Sequence, residues 1–328
     1  MSYIINKLDT GGIITNYDCS IQCAHCFHNS SPLRKKGFIS PEMANKILTK
    51  LESVGCQSLH IEGGEPFLYT KELIELVVKI ENSSINLEYI STNCSWYKNK
   101  TESKKILETL KHHGLSRLLL KVSPFQNEHI PLKKVQSIAN IAKEIGINII
   151  LWDNDLYSEV NSFDPSKTHS LQQYIDKYGN NYIKKLAECF NVSFINRETN
   201  SYNKYLNKYS VSEILSQNQG CDKDFPTNNH FHVDLYGNFI FSHTNGVTCK
   251  IDDIDKKLDA KKYPYLSILT NNGIESLYSL AIKKYNFKPQ EEGYISKCHL
   301  CFDIRHFLVN KQNINSPDLQ PLEFYKKL

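Results

Sequence analysis

The sequence lacks a long apolar run, a strong excess of charge and a high content of glycine or proline. No stretch of its 328 residues approaches the roughly 18 apolar residues that a membrane-spanning helix needs. The first residues, MSYIINKLDTGG, include Lys7 and Asp9 and do not form a secretory signal. Glycine occurs 14 times and proline 11 times, too seldom for a collagen-like or linker-like chain. We therefore expect a globular cytoplasmic protein that does not enter a membrane.

The charge gives no reason to expect a nucleic-acid partner. Lys and Arg number 39 and Asp and Glu 35, so the formal net charge is only +4, and the basic residues are scattered. The ten cysteines are the unusual feature of the composition. Thiols stay reduced in the cytoplasm, so these cysteines indicate metal or redox chemistry instead of disulfide bonds.

From residue 11 to about residue 153, short apolar segments alternate with amphipathic ones. The pattern predicts strands in GIITNY, SLHIEGG, INLEYIST, RLLLKVS and NIILWD, with helices between them. Ser40 and Pro41 are a typical start for the first of these helices. Strands that alternate with helices pair in parallel, so we predict an α/β barrel or open sheet with ligands at the carboxyl ends of its strands.

The rest of the chain has a different pattern. Residues 154–220 are predicted to be helical and polar, and residues 230–241 to form a β-hairpin. Residues 273–286 are predicted to form a helix. Residues 297–309 (KCHLCFDIRHFLV) are predicted to begin in a loop and to continue as a helix.

Three cysteines lie within eight residues directly after the first predicted strand, in the sequence Cys19-Ser-Ile-Gln-Cys23-Ala-His-Cys26. Thiolates on one loop are able to converge on one metal centre, and they suit zinc or iron–sulfur clusters. A structural zinc site needs a fourth ligand, which His25 or His28 offers. In a four-iron cluster, three thiolates leave one iron open, as a catalytic metal site requires.

The segment Gly63-Gly64-Glu65-Pro66 follows the second predicted strand. Paired glycines at a strand end allow the backbone to approach a ligand closely. Glu65 is able to accept hydrogen bonds from an ammonium group. The segment alone is a weak signal, but in combination with the three-cysteine loop it is specific.

With these two motifs the sequence resembles the radical S-adenosylmethionine (radical SAM) superfamily. The resemblance covers about residues 11–200 and implies a partial (β/α)6 barrel in which Cys19, Cys23 and Cys26 hold a [4Fe–4S] cluster. It implies that SAM chelates the open iron and is reductively cleaved to a 5′-deoxyadenosyl radical, which abstracts a hydrogen atom from the substrate. An electron donor such as flavodoxin or ferredoxin is an implied partner.

The resemblance also implies which residues contact SAM. The Gly-Gly-Glu-Pro segment would bind the amino group, polar residues at the ends of the third and fourth strands would lie beside the cofactor, and an arginine would pair with the carboxylate. His25 stands where an aromatic residue often lies near the adenine, so the adjacent phenylalanine would share that role. The implied residues are Phe27, Gly63, Gly64, Glu65, Pro66, Ser91, Asn93, Ser123 and Arg197.

Cys94 stands where similar proteins often carry glycine after Thr-Asn. Two interpretations remain open. Cys94 is either a small residue at a strand end or a thiol that donates a hydrogen atom near the radical.

Four further cysteines lie in the last third of the chain and number enough to complete one [4Fe–4S] cluster. Their arrangement around the predicted hairpin is similar to the shortened auxiliary-cluster domain called twitch, a relative of the larger SPASM extension. The resemblance implies a barrel over residues 1–210 and a small α+β domain with a β-hairpin and an auxiliary cluster over residues 211–328. The implied ligands are Cys221, Cys249, Cys298 and Cys301.

The ligand set of this second cluster has alternatives. The usual position of the second cysteine is Ser242 here, so Cys249 is either that ligand or a free thiol able to donate a hydrogen atom. A zinc ion bound by the same four cysteines is another possibility. Cys56 and Cys189 are predicted to be small buried side chains.

Three classes of function are consistent with the sequence. The preferred one is modification of a ribosomally made peptide by epimerisation or cross-linking. Only 18 residues precede Cys19, so we expect no leader-binding domain at the amino terminus, which weakens the peptide hypothesis without excluding it. The alternatives are a dehydrogenase or dehydratase of a small carbohydrate or cofactor precursor, and a non-enzymatic metal-binding or electron-transfer protein.

Overall fold

The chain folds into two compact units. The computed structural model describes residue 5 and residues 7–190, 197–217, 221, 225, 230–242 and 244–326, without the side chains of residues 198 and 200. The parallel-sheet unit comprises residues 9–23 and 30–182, and the C-terminal unit comprises residues 1–8, 24–29 and 183–328. The predicted domain boundary at residue 210 remains a proposal.

The parallel-sheet unit contains five parallel strands in the spatial order β5-β4-β3-β2-β1, so each strand lies beside the one that precedes it in the chain. This confirms the predicted parallel α/β architecture. The strands are β1 (Thr10–Ile14), β2 (Ser58–Glu62), β3 (Asn86–Thr92), β4 (Arg117–Leu120) and β5 (Asn148–Leu151).

Helices connect these strands, and their ends follow local capping chemistry. Ser40 accepts a hydrogen bond from the Met43 backbone N–H (3.2 Å) at the start of the first helix, as predicted. The helices are α1 (Pro41–Ser53), α2 (Thr70–Glu81), α3 (Lys100–His112), α4 (Pro124–Asn127), α5 (Leu132–Glu144), α6 (Asn154–Asn161) and α7 (Leu171–Tyr178).

The two faces of the parallel sheet differ in polarity. One face carries fully buried aliphatic side chains against which the apolar sides of the helices pack, and these are Leu59, Ile61, Ile90, Leu118 and Leu120. Alternate positions carry polar side chains on the opposite face, which we call the inner face: His60, Glu62, Tyr89, Ser91 and Lys121. A strand of a parallel sheet that is buried on both faces is normally apolar throughout, so these residues mark the inner face as a place for polar contacts.

The C-terminal unit combines helices with three antiparallel strands. The predicted hairpin is confirmed, because the Asp234 carboxylate accepts hydrogen bonds from the Tyr236 and Asn238 backbone N–H groups (both 2.9 Å) around Gly237 at φ 71°. The elements are α8 (Tyr182–Cys189), α9 (Arg197–Tyr202), α10 (Val211–Ser216), β6 (Phe231–Asp234), β7 (Asn238–Phe241), β8 (Thr248–Lys250), α11 (Pro264–Tyr285) and α12 (Lys297–Asn310).

Two helices of this unit differ from the prediction. The helix predicted over residues 273–286 is the second half of α11, which starts at Pro264 and bends at Gly273 (φ 70°). The predicted loop at the start of residues 297–309 is wrong, since Ser296 accepts a hydrogen bond from the His299 backbone N–H (3.2 Å) and begins α12 there. No helix in the described part of the chain has the length and apolar character needed to cross a bilayer.

Candidate functional site

The loop after β1 is held in place by its own side chains. Asn16 donates from its amide to the Asp18 carbonyl (2.7 Å), and the Asp18 carboxylate accepts from the Tyr69 hydroxyl (2.8 Å). The Cys19 backbone N–H donates to the Ser31 carbonyl (3.2 Å). All of the loop from residue 15 to residue 19 is buried. The loop therefore presents Cys19 from a fixed backbone.

Gly63 and Gly64 lie against this loop. A Cβ atom added to Gly63 would come within 2.4 Å of the Asn16 side-chain oxygen, and one added to Gly64 within 1.9 Å of the Asp18 carbonyl oxygen. The Gly64 N–H donates to the Asn16 carbonyl (2.7 Å). The two glycines thus allow the backbone after β2 to lie directly against the cysteine loop. The sequence alone does not reveal this contact.

Glu65 is completely buried and accepts three hydrogen bonds from the protein. One carboxylate oxygen accepts from the Phe67 N–H (3.2 Å) and the Thr92 hydroxyl (2.9 Å), and the other accepts from the Asn93 N–H (2.7 Å). Burial outweighs these bonds and raises the pKa of Glu65 from 4.5 to about 7. Of the four acceptor positions of a carboxylate, one is left for a ligand such as an ammonium group.

Thr92 makes the orientation of this network unambiguous. Its hydroxyl oxygen accepts from the Cys94 N–H (3.0 Å) and from the Trp96 indole N–H (2.9 Å). With both lone pairs occupied, the hydroxyl hydrogen is donated to Glu65. Glu65 therefore ties the turn after β2 to the end of β3, in addition to any contact with a ligand.

We expect Glu65→Ala to destabilise the protein and to weaken SAM binding. Three buried donors would lose their acceptor at roughly 1–3 kcal/mol each, a loss of about 3 kcal/mol or more. Thermal unfolding followed by circular dichroism should show a melting temperature lower by roughly 4 °C. Glu72→Ala, on the exposed side of α2, is the matched control and should unfold near the wild-type temperature. Wild-type stability of Glu65→Ala would contradict this account.

Asn93 connects the end of β3 to the cysteine loop. Its side-chain amide nitrogen lies 3.5 Å from the Cys19 sulfur and 3.3 Å from the Ser20 hydroxyl oxygen. Its side-chain oxygen accepts from the Ser95 N–H (2.9 Å). The sequence predicts Asn93 as a SAM contact, but the contact with Cys19 joins residues 74 positions apart and follows only from the parallel pairing of the strands.

The other predicted contacts at the strand ends have different surroundings. The Ser91 hydroxyl is buried and has no hydrogen-bond partner among the described residues. Ser123 caps the short helix α4 by accepting from the Gln126 N–H (3.4 Å). Asn93, Lys121 and Ser123 line one small cavity of about 10 Å³, enough for roughly one water molecule. Ser91 is thus the predicted contact whose hydroxyl is open to a ligand.

Cys94 occupies a backbone conformation that suits glycine. Its φ of 62° lies in the left-handed region, and its side chain is completely buried. Burial raises the pKa of the Cys94 thiol well above its usual range, so the thiol stays protonated. The conformation explains why glycine is common at this position in similar sequences.

The backbone of Cys94 predicts an order of stability for its variants. Cys94→Gly should stay within about 1 kcal/mol of wild type, since relief of roughly 1–2 kcal/mol of backbone strain offsets the lost side-chain contacts. Cys94→Ala keeps the strain, loses the contacts and should be the less stable variant. Thermal unfolding of both proteins measures the order, and a more stable alanine variant would contradict it. Substrate turnover by Cys94→Gly tests the hydrogen-donor interpretation.

The inner face contains polar residues that motif analysis missed. The His60 and Tyr89 rings stack at a centroid distance of 4.8 Å, and the Lys121 ammonium lies 3.9 Å from the Glu62 carboxylate. Leu59 pairs with Leu87 whereas Ile61 pairs with Ile90, so β3 has one extra residue opposite His60. Such bulges reorient side chains and are common beside active sites. The sequence signal for these residues was the alternation of polar and apolar residues in the segment SLHIE, which indicates one polar face of the strand.

Cys26, Phe27 and Arg197 lie in the C-terminal unit. Cys26 and Phe27 are half-buried, and the Phe27 carbonyl accepts from the Asn245 amide (2.8 Å). Arg197 is the first residue of α9, where its carbonyl accepts from the Ser201 hydroxyl (3.1 Å). The contacts predicted for Phe27 and Arg197 with SAM remain proposals.

The C-terminal cysteines occupy two kinds of position. Cys298 and Cys301 are half-buried and lie three residues apart in the first turn of α12, on the same side of the helix. Cys249 is fully buried on β8, opposite Phe239, and burial raises the pKa of its thiol. Cys221 is buried as well. Cys249 therefore lies on a strand, whereas Cys298 and Cys301 lie on a helix.

The structure describes how tightly the same cysteines are grouped. Among the residues that the structure describes, no three of the four sulfur atoms lie within 4.8 Å of one another. Zinc–sulfur bonds of about 2.3 Å would hold tetrahedral thiolates roughly 3.8 Å apart. Both a zinc ion and a cluster at these cysteines therefore stay predictions.

Two polar residues of α12 lie beside the cysteine pair. The Arg305 guanidinium is buried next to the Cys301 thiol and donates to the Asn245 carbonyl (3.0 Å) and the Tyr325 hydroxyl (2.8 Å). His299 accepts at Nδ1 from the Ile295 N–H (3.2 Å), and burial lowers its pKa to about 4. His299 is therefore neutral, and Nε2 carries its hydrogen.

The two remaining cysteines differ in burial. The buried Cys56 thiol lies 3.5 Å from the Ser58 carbonyl, and burial raises its pKa to about 11, so it is a small protonated side chain as predicted. Cys189, at the end of α8, is half-buried, so the prediction that its side chain is buried is wrong. The terminal turn of a helix leaves such a side chain partly open to solvent.

Part of the chain is similar to a family of iron–sulfur domains. The family model described as a 4Fe-4S single cluster domain matches residues 13–141, which include all three cysteines of the first motif and the Gly-Gly-Glu-Pro segment. A probable GTP 3′,8-cyclase of Pyrococcus horikoshii is 24% identical over 101 residues. This match covers 31% of the chain, and the chain spans only 30% of the length of that relative.

Distant similarity to solved structures extends over more of the chain. The structure of anSMEcpe with bound AdoMet is 14% identical with a TM-score of 0.46, covering 93% of this chain and 98% of that one. The structure of Streptococcus suis SuiB bound to the precursor peptide SuiA is 16% identical with a TM-score of 0.35, covering 98% and 76%.

The matched residues carry both sequence motifs. Residues 13–141 carry a three-cysteine loop after the first strand of a parallel sheet. The Gly-Gly-Glu-Pro segment at the end of the second strand packs against that loop. By this match, residues 13–141 are similar to a 4Fe-4S single cluster domain, and the assignment of the chain to the radical SAM superfamily is a proposal.

Proposed function

We propose that the protein is an enzyme that cleaves SAM reductively and uses the resulting radical to abstract a hydrogen atom from a substrate. The observation that supports this most directly is the cysteine loop within the matched 4Fe-4S domain, with Cys19 presented from a buried backbone beside the Asn93 amide. The Gly-Gly-Glu-Pro segment that packs on this loop leaves one acceptor position of Glu65 for a ligand, which a purely structural metal site would not need.

The donor atoms fit the cofactors that the family implies. Cys19, Cys23 and Cys26 would hold a [4Fe–4S] cluster, since thiolates are its usual ligands. Glu65 retains one acceptor position and Ser91 a buried hydroxyl without a protein partner, both suited to polar groups of SAM. Cluster and SAM together supply the 5′-deoxyadenosyl radical. The other proposed SAM contacts are Phe27, Gly63, Gly64, Pro66, Asn93, Ser123 and Arg197.

We assign a second [4Fe–4S] cluster to the cysteines of the C-terminal unit. The pair on the first turn of α12 supplies two thiolates from one side of a helix, and the buried guanidinium of Arg305 beside Cys301 would stabilise their negative charge. The remaining ligands are proposed to be Cys221 and Cys249. Such a cluster would exchange electrons with the substrate, with flavodoxin or ferredoxin as the external donor.

The proposed substrate is a peptide, modified by epimerisation or cross-linking. The polar inner face supports a substrate that carries hydrogen-bonding groups, since His60, Glu62 and Lys121 all carry polar atoms there. Peptide amides provide both donors and acceptors to such a face. A small carbohydrate or cofactor precursor satisfies the same face, so oxidation or dehydration of such a molecule is the second candidate.

Anaerobic reconstitution tests the proposed activity. The protein is loaded with iron and sulfide, mixed with SAM and dithionite or reduced flavodoxin, and 5′-deoxyadenosine is measured by liquid chromatography. An enzyme of the proposed class releases it, whereas an electron-transfer or zinc protein does not. Peptides encoded beside the gene are then added, and sugars are added in a parallel set of reactions. The substrate belongs to the class that increases the rate of 5′-deoxyadenosine release and whose own mass changes in the reaction.

A further inference from the structure

The amide of Asn93 lies against the sulfur of Cys19. The nitrogen–sulfur distance is 3.5 Å, and Asn93 is 4% exposed, so water does not compete for this contact. We infer that Asn93 donates a hydrogen bond to the Cys19 thiolate and thereby raises the reduction potential of the cluster bound there. The inference rests on the proposed cluster at Cys19, Cys23 and Cys26.

The structure defines which end of the Asn93 side chain faces Cys19. Amide oxygen and nitrogen are assigned from their hydrogen-bond partners. The Ser95 backbone N–H, a donor, lies 2.9 Å from one end of the amide, so that end is the oxygen. The end beside Cys19 is therefore the nitrogen, which has two hydrogens to donate. One is directed to Cys19 and the other to the Ser20 hydroxyl oxygen (3.3 Å).

Asn93 is also held from its backbone. Its N–H donates to the Glu65 carboxylate (2.7 Å), and the same carboxylate is anchored by Thr92 and Phe67. Glu65 thus acts as a positioning residue for the amide. Because both the backbone and the side-chain oxygen of Asn93 are fixed, its amide nitrogen has little freedom to turn away from the sulfur.

The direction of the effect follows from electrostatics. Reduction adds one electron to the cluster and increases the negative charge on its sulfur ligands. A donor aimed at a ligand sulfur stabilises that added charge more than it stabilises the oxidised form, so it makes reduction easier. The low local polarity of a buried site strengthens the effect. Asn93 would therefore bring the cluster within reach of a biological electron donor.

Two substitutions at Asn93 and one at Ser20 test this role. Asn93→Asp keeps the oxygen that accepts from Ser95 but replaces the donor beside Cys19 by a second oxygen. Asn93→Ala removes the donor without adding charge. Ser20→Ala removes the other partner of the amide and leaves the Cys19 contact intact. Each full-length protein is reconstituted anaerobically, and the midpoint potential is measured by redox titration with electron paramagnetic resonance detection. A parallel sample with SAM shows which signal SAM perturbs, and that signal is the one that is titrated.

We expect a midpoint potential more negative than wild type for Asn93→Ala, a larger negative shift for Asn93→Asp, and no shift for Ser20→Ala. Loss of iron from Asn93→Asp, with iron kept by the other two variants, would also support the contact, since repulsion would act on the Cys19 thiolate. Wild-type potentials in both Asn93 variants would overturn the inference. A cluster signal that SAM still perturbs in Cys19→Ala would instead overturn the proposed function on which it rests, whereas a signal that SAM leaves unchanged is expected there from the C-terminal cluster.

Discussion

Replacing Cys26 by alanine is expected to abolish release of 5′-deoxyadenosine while the protein still folds. Two thiolates would remain for a cluster that needs three protein ligands, so the cluster would be lost or would no longer bind SAM productively. The half-buried Cys26 lies on the segment after the buried part of the cysteine loop, so its loss leaves the core packing of the parallel-sheet unit unchanged. Chromatographic measurement of 5′-deoxyadenosine after anaerobic reconstitution gives the result.

Cys189→Ala is the matched control for this substitution. Cys189 is also half-buried but lies on α8, outside both cysteine groups. It should retain wild-type iron content and 5′-deoxyadenosine release. Circular dichroism confirms that both variants fold. Wild-type levels of 5′-deoxyadenosine from Cys26→Ala would reject the assignment of the three-cysteine motif.

The second large effect concerns the number of irons. Two cubane clusters hold eight irons, so the reconstituted wild-type protein should bind about eight. The triple variant Cys19→Ala, Cys23→Ala, Cys26→Ala should keep about half of them, because the C-terminal cysteines remain. The double variant Cys298→Ala, Cys301→Ala should lose the other half. Iron and zinc are measured by elemental analysis of the same samples.

The outcome also distinguishes the alternatives for the C-terminal cysteines. About four irons together with one zinc in the wild type would reject the second cluster. Cys249→Ala addresses the ligand set separately, because Cys249 lies alone on β8 and is fully buried. If Cys249 is a ligand, this variant should lose iron. If it is a hydrogen-atom donor, the iron count should stay near eight while turnover of the substrate stops.

Much of the local structure was predictable from the chain. Apolar periodicity and the Ser40 cap predict the alternating strands and helices because these signals act over a few neighbouring residues. The turn around Gly237 depends in the same way on local side-chain bonds. The predicted loop at the start of α12 is wrong because the cap at Ser296 was not recognised. A cap of one side chain is enough to decide where a helix begins.

The sequence by itself determined the three-cysteine motif and the match of residues 13–141 to a 4Fe-4S single cluster domain, because cysteine spacing is a property of the chain and needs no tertiary contact. Only the tertiary structure decided what the motif residues contact. Parallel pairing brings the ends of β1, β2 and β3 to one edge of the sheet. This places Gly64 against the cysteine loop, Glu65 within hydrogen-bond distance of three donors, and the Asn93 amide beside the Cys19 sulfur. Apart from Phe67, these partners lie tens of residues apart in the chain, so their contacts depend on strand register and on burial, which no local pattern encodes.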